Sequence, residues 1–409
     1  MPLPAFRYGH ASHPDWHTAA DLVLAQAMSE PMPNAAPATL GFVYLSAGLA
    51  EHLSALIELL RHRTGIAHWT GGVGFGVLAT GAEYLNAPAI AIMLAPLPPD
   101  SFRLFSGSAP ISQALAAVDG QPWQAHSALV HADPATAEMA QMIADLAQRI
   151  GVTAGAVSDG AKVFGGVLGG NSEHPAHFAD GLGHGGMSGV IFDRSVRIHC
   201  GLTQGCTPLG AVHLISKCQG QYLQALDGEP ALDVMLKDLG VAKEHAASRD
   251  GESLLRALPA ERLKRGLLLG LDNDAVTHAG ARPIGFGEYQ VRNLIGIDPH
   301  NRLLAVAADL QMGARAVFCT RDQPAARADL IRICTQLRDD IESESLTVRG
   351  ALYFSCVARG RNLFGSDGAE LQIIRHNFGH IPLVGMFANG EISGSRLYGY
   401  TGVLALFVG

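Results

Sequence analysis

Short apolar runs alternate along the chain with stretches whose apolar residues recur every three or four positions, the pattern of buried strands alternating with amphipathic helices. The run Gly41–Ser46 (GFVYLS) predicts a buried strand. The segment Glu51–Arg63 follows, with Leu53, Leu56, Ile57 and Leu60 at helical spacing. Then come the glycine hexad Gly71-Gly72-Val73-Gly74-Phe75-Gly76 and a second apolar run, Ala89–Leu94. The same order returns twice. Ser127–His131 predicts a strand, and Asp133-Pro134 opens a helix to Arg149 with Met139, Met142, Ile143 and Leu146 on one face. Gly165-Gly166-Val167-Leu168-Gly169-Gly170 and the run Met187–Phe192 complete that copy. A third copy runs from Gly350–Val357 through a helix near Gly368–Asn377 to Gly385-Met386-Phe387-Ala388-Asn389-Gly390 and Val403–Val408. Glycine is first and sixth in every hexad.

Between copies two and three lies Val196–Gly210 (VRIHCGLTQGCTPLG). A strand at His213–Lys217, a helix at Ala231–Leu239 and a charged amphipathic segment at Ser248–Arg265 are expected after it. Leu303–Ala308 and Ala314–Cys319 read as a pair of strands joined by DLQMG, and Pro324–Glu342 as a helix. Pro31–Pro37 and Leu97–Asp100 read as linkers. The repeat predicts an α/β fold of two related lobes, each of mixed β-sheet flanked by helices and built from a β-α-β(Gly-rich)-β unit, meeting near residues 205–216.

Composition narrows the partners. Only 16% of the 409 residues are charged, 48 are glycine, and the net charge is −8. That balance argues against nucleic acid and anionic membrane, which recruit clustered Lys and Arg. The start of the chain has neither a basic nor an apolar signal region, and the apolar runs are too short to span a bilayer. Six cysteines form no CxxC pair, so a reduced, cytoplasmic setting is expected.

Glycines at a strand end admit a ligand to main-chain N–H groups; the alternative is that they serve bulges and tight turns. The first reading makes Gly71, Gly72, Gly76, Gly165, Gly166, Gly170, Gly385 and Gly390 ligand-binding, with Asn389 and Glu391 as polar contacts. Gln204-Gly205-Cys206 adds an amide and a thiol, although a free cysteine is more often a small core residue. His10, His13 and His17 have metal-like spacing that Pro14 interrupts, and His174, His177 and His184 could wall a pocket, so no metal site is assigned. Catalytic motifs miss their spacing. Gly155–Val163 is not a phosphate loop, Gly186-Met187-Ser188-Gly189 is not a nucleophile elbow, and Asp272-Asn273-Asp274 lacks calcium ligands at Thr277-His278-Ala279. The chain does not read as an enzyme.

The combination of Gly41–Ser46, Gly71–Gly76 with Glu83, Gly165–Gly170, Gln204–Gly210, Leu352, Phe354, Pro382–Gly385 through Gly390-Glu391 and the ending Leu397–Phe407 resembles the FIST family. The resemblance covers roughly 40–409. It implies an N-terminal extension with a first helix (1–39), a FIST-N-like domain (40–215) and a FIST-C-like domain (216–409). It also implies a cytoplasmic bacterial sensor of amino acids or related metabolites that signals to a partner such as a histidine kinase or cyclase. Some relatives are similar to haem-containing nitric-oxide sensors acting on a histidine kinase, so haem is the cofactor the resemblance raises. Where the family usually places a histidine near the last signature, this chain has Tyr398.

Overall fold

The computed structural model describes residues 6–29, 36–107, 111–116, 123–154, 162–172, 174–242, 244, 250–259, 266–272 and 289–409. The linker residues 31–35, the loop residues 155–161 and 273–279, and residues 248–249 and 260–265 of the amphipathic segment lie outside that set. The chain forms two compact units, residues 1–202 with 330–409, and residues 203–329. Where the sequence suggested one division near 215, the border is crossed twice, because the third copy of the repeat is interrupted by the whole second unit.

Apart from Thr203 and Gln204, at the end of one strand, all three copies lie in the first unit, which departs from the two-lobe expectation, while the mixed α/β character and the repeated unit are as expected. Each copy supplies six strands. Copy one has an edge strand Arg7–Ser12, a first strand Leu40–Ser46, a glycine strand His68–Gly74, a hairpin of Gly76–Ala79 and Ala82–Leu85, and a return strand Ala89–Ala95. In copy two these are Phe102–Phe105, Ala125–Ala132, Lys162–Val167, His177–Ala179 with Gly181–Gly183, and Met187–Asp193. In copy three they are Arg197–Gln204, Val348–Cys356, Leu383–Ala388, Glu391–Ser393 with Arg396–Tyr398, and Thr401–Val408.

Every sheet has the order edge, return, first and glycine strand of one copy, and is completed by the hairpin of another. Copy one lends its hairpin to the sheet of copy three, copy three to that of copy two, and copy two to that of copy one. The exchange is cyclic and closes. It is tied where the hexads meet: the Phe75 N–H donates to the Phe387 carbonyl at 3.0 Å, that of Gly169 to Val73 at 3.1 Å, and that of Asn389 to Val167 at 2.9 Å. Each bond joins the fifth residue of one hexad to the third of another.

Alternation along a strand sends successive side chains to opposite faces. In Leu40–Ser46, Phe42 and Tyr44 enter a central core shared by all three copies. Val43 and Leu45 face outward, against the helices Trp16–Ala27 and Leu53–Thr64. Copy two covers its outer face with the helix Met139–Ala154 through Ile143, Leu146 and Ile150. At the centre the rings of Tyr44, His131 and Phe354, one from the matching position of each first strand, lie 5.6–6.1 Å apart. Such tilted contacts suit aromatic quadrupoles.

The second unit is an antiparallel barrel. Its ring runs His213–Gln219, Tyr222–Leu226, Leu303–Val306, Gln290–Asp298, Leu267–Asp272 and Arg315–Arg321, and closes because the last strand also pairs with the first. Closure removes exposed sheet edges. The helix Ala231–Asp238 packs Leu232 and Met235 into the same core as Leu269, Leu304 and Phe318. Leu303–Val306 and Arg315–Arg321 are not neighbours, contrary to the strand pair expected. The segment between them is pinned instead by Leu310 N–H to Gly220 and Gly313 N–H to Ile215.

Candidate functional site

The first glycine of each hexad has one job in all three copies. Gly71, Gly165 and Gly385 stand in parallel register with Val43, Val130 and Tyr353. A Cβ there would lie 1.7, 1.9 and 1.8 Å from those residues' carbonyl oxygens. Gly72 and Gly166 are filled in by Leu168 and by Phe354, Ala388 and Met386, and Gly76 lies against the Tyr84 carbonyl. All of these are buried, as is Gly390. Gly170 is half-buried and Asn389 is exposed, so solvent meets the hexads at their ends. The structure therefore brings eight glycines, Asn389 and Glu391 together, with most of the glycine backbone spent on packing. Ligands of open α/β sheets commonly sit beyond the carboxyl ends of parallel strands, which is where Gly170 and Asn389 emerge.

Copy three gathers buried charge at that end. Arg359 and Glu391 are 0% exposed and Glu370 is 2% exposed. Glu370, in the first turn of the helix Ala369–Phe378, accepts from Arg359 Nε and Nη2 at 3.1 and 3.0 Å, from Ser355 Oγ, from the Gly360 N–H at 2.9 Å and from the Tyr353 hydroxyl. A carboxylate near a helix N-terminus, with this many donors, is well compensated. Glu391 is not. One oxygen accepts from the Thr401 N–H and hydroxyl at 3.2 and 2.6 Å, while Oε1 is buried with no protein partner. Burial drives the Glu391 carboxyl up to about 8 against the opposing pull of Thr401 and Arg359. It is thus a protonated or poised group near neutrality. Cys356, the last residue of the first strand, is pushed up to about 12 by burial and then by Glu391, so it is an unreactive thiol. Burial also raises Glu83, with the neighbouring charges of Glu370 and Asp367 adding to the shift.

Copy two carries Asp133 at the equivalent strand end. Burial alone would raise this carboxyl, but the N–H groups of Ala135 and Gly185 and the His174 imidazole hold it down. His177 shares a 2.7 Å hydrogen bond with Ser188, and the fully buried His131 shares one of 3.0 Å with the Tyr44 hydroxyl. Burial, with His177 nearby, pushes His131 down to about 3, so it stays neutral.

Gln204, Gly205 and Cys206 belong to the barrel unit and are buried there. Gln204 Nε2 donates to the Tyr289 carbonyl at 2.7 Å, and its N–H donates to Asp329 at 2.7 Å. Cys206 neighbours Cys319, whose thiol is raised by that contact and by burial. Among the described residues no group of three or more His, Cys, Asp or Glu is placed to hold a metal. Haem needs an axial ligand facing an apolar slot. A cavity of about 430 Å³ includes His68, but polar Arg103, Ser106 and Asp180 stand among its walls. A cavity of about 240 Å³ lined by Leu232, Met235, Leu254 and Ile297 has no histidine. Neither of these fits the group. Arg359, Glu370, Tyr353 and Asp133 were missed from the sequence, since no spacing signals their convergence.

The site is thus a cyclic three-copy α/β unit with a buried, incompletely paired carboxyl at its strand ends. The comparisons assign the family. The FIST N domain model matches residues 39–229 and the FIST C domain model residues 231–394, so the chain belongs to the FIST family. The border between the two matches falls within the barrel. An uncharacterised protein of Mycobacterium tuberculosis (strain ATCC 25618 / H37Rv) is 28% identical over 420 aligned residues, covering 98% of each chain. Another, from Mycobacterium bovis (strain ATCC BAA-935 / AF2122/97), is 30% identical over 211 residues, about half of each chain (51% and 50%). FIST domains are associated with sensing in signal transduction. No helix among the described residues is long and apolar enough to cross a membrane.

Proposed function

We propose that this FIST protein is a cytoplasmic sensor that binds a small amine-bearing metabolite, an amino acid or a close relative, at the strand ends of its three-copy unit. The observation that carries the reading is Glu391: a fully buried carboxyl with Oε1 unpartnered beside the exposed Asn389. An unpaired buried carboxyl oxygen is costly, and a ligand ammonium would supply the missing donor. Asn389, Gly390 and Gly170 would give the polar rim. Seating a ligand there would stiffen the tie between hexads, and only unequal affinity for the free and stiffened states can turn binding into a signal to a histidine kinase or cyclase. Thermal-shift and calorimetric screening against amino acids and their amines tests it. A ligand at about 100-fold over its Kd should stabilise the protein by about 2.7 kcal/mol. Glu391→Gln should abolish that gain while leaving the unliganded protein folded at neutral pH. A screen with no stabilising amine, or a Gln variant that binds equally well, overturns the reading.

A further inference from the structure

A different part of the first unit holds a preorganised set of donors that the receptor reading does not use. The cavity of about 430 Å³ has His68, Arg103 and Asp180 among its polar walls and Pro99, Phe102 and Leu104 among its apolar ones. It sits between the sheet of copy one, at its borrowed hairpin, and the edge strand of copy two. His68 Nδ1 lies 2.6 Å from Asp180 Oδ2, so Nδ1–H donates to the carboxylate and fixes the ring, and Nε2 carries a proton only in the imidazolium. Asp180 is itself locked. Its other oxygen accepts from the Trp69 N–H at 3.1 Å and from Arg61 Nη2 at 3.3 Å, its own N–H donates to the Trp69 carbonyl, and its φ is +58°. Aspartate tolerates that left-handed region at the tip of a hairpin, here between the paired Ala179 and Gly181.

The fixed donor is Arg103. Its guanidinium lies 4.4 Å from the Trp123 ring centroid, and Nη1 donates to the carbonyls of Ala114 and Ala116 at 3.0 and 2.7 Å. Those bonds use one of its three nitrogens. Nε and Nη2 have no hydrogen-bond partner among the described residues, and neither has His68 Nε2. The negative charge of Asp180 is matched by Arg61, so the cavity as a whole favours an anion. Phe102, edge-on to His68 at 5.7 Å, forms an apolar wall with Pro99 and Leu104.

We infer that this cavity is a second ligand site, taking a small oxyanion on the free edge of the Arg103 guanidinium with His68 held as the imidazolium, Nδ1–H on Asp180 and Nε2–H on the anion, and an apolar body against Phe102. Arg suits this role because its planar donors match a carboxylate or phosphate in two places. The oxyanion itself can belong to a carboxylate or to a phosphate.

Calorimetric titration of the full chain with benzoate, inorganic phosphate and neutral benzamide tests the site. Saturable binding of benzoate or phosphate, with benzamide at least tenfold weaker, is expected. Benzoate binding more tightly assigns a carboxylate with an apolar body, and phosphate binding more tightly assigns a phosphoryl group. His68→Asn keeps a donor to Asp180 but removes Nε2, and should weaken the bound anion roughly tenfold with an unchanged melting temperature. Arg103→Lys should weaken it as much, with a lower melting temperature because the Ala114 and Ala116 carbonyls lose their guanidinium donor. Absence of saturable binding by both anions, or binding that neither variant weakens, overturns the inference. Because Glu391 plays no part here, the outcome is independent of the amine screen.

Discussion

Copy one and copy three share a backbone and differ in what they place at its end. A Cβ on Gly71 or Gly385 would lie 1.7 or 1.8 Å from the carbonyl oxygen of Val43 or Tyr353, so both copies need glycine for close approach of parallel strands. Beyond that point they diverge. The first strand of copy one ends in Ser46, whose hydroxyl accepts the Ala89 N–H at 2.8 Å and closes the sheet. That of copy three ends in Cys356, next to the buried Arg359–Glu370 pair and Glu391. The hexads therefore describe architecture, and the polar residues beside them describe chemistry.

The sharpest test of the difference is Arg359→Met, which strands Glu370 in the interior and should cost about 3–5 kcal/mol in chemical denaturation. Pairing it with Glu370→Gln should recover part of that loss. The first strand of copy one ends in the uncharged Ser46, so a small loss from Arg359→Met would erase the contrast. Next come Gly71→Ala and Gly385→Ala, each expected to cost ~3 kcal/mol, because the added methyl meets backbone that cannot yield. Unequal losses would mean the two glycines are not equivalent.

Glu391 gives a stronger pH signature than Glu83 of copy one, whose carboxyl is also raised by burial. Its folded pKa is raised above the unfolded value, chiefly by burial. The protein is thus most stable with this carboxyl protonated, below the unfolded value of about 4.5, and loses stability as pH rises toward about 8. Glu391→Gln should flatten that decline in a series of melts, and an unchanged slope would remove Glu391 as its source.

The barrel supplies a smaller effect. Burial would lower His213, but its bonds to Asp227 at 2.6 Å and Asp238 at 2.9 Å, with their charges, raise it. The stability it contributes is full below the unfolded value of 6.5 and lost as pH rises through the folded one. His213→Asn should remove on the order of 1 kcal/mol at pH 6 and less at pH 9. Asn389→Ala should be the mildest. With an exposed side chain it should shift stability by less than about 0.5 kcal/mol while weakening any ligand held at the strand ends.

Much of the fold could be read before any coordinates. The strands of each copy fall where the apolar periodicity put them, because a buried strand carries its own pattern, but the helix of copy two starts at Met139 and not at Asp133-Pro134, because Asp133 is spent on a turn with Ala135 and Thr136. Gln323–Ser343 matches the helix expected at Pro324–Glu342 almost residue for residue. The barrel's connectivity was less legible, since Leu303–Val306 and Arg315–Arg321 look like a hairpin in sequence yet pair elsewhere. Of the candidate contacts, Asn389 and Glu391 keep exposure or an unpaired atom. Gln204 and Cys206 have their bonds inside the barrel.

Local periodicity and the spacing of glycines determined that this chain would build three copies of one α/β unit, because both are properties of neighbouring residues. Which hairpin completes which sheet was decided only in three dimensions, by hydrogen bonds between hexads more than ninety residues apart. The same holds for the convergence of Arg359, Glu370 and Glu391, and for the pairing of His68 with Asp180. Charge compensation and desolvation depend on distance in space, and a linear order of residues does not contain that distance.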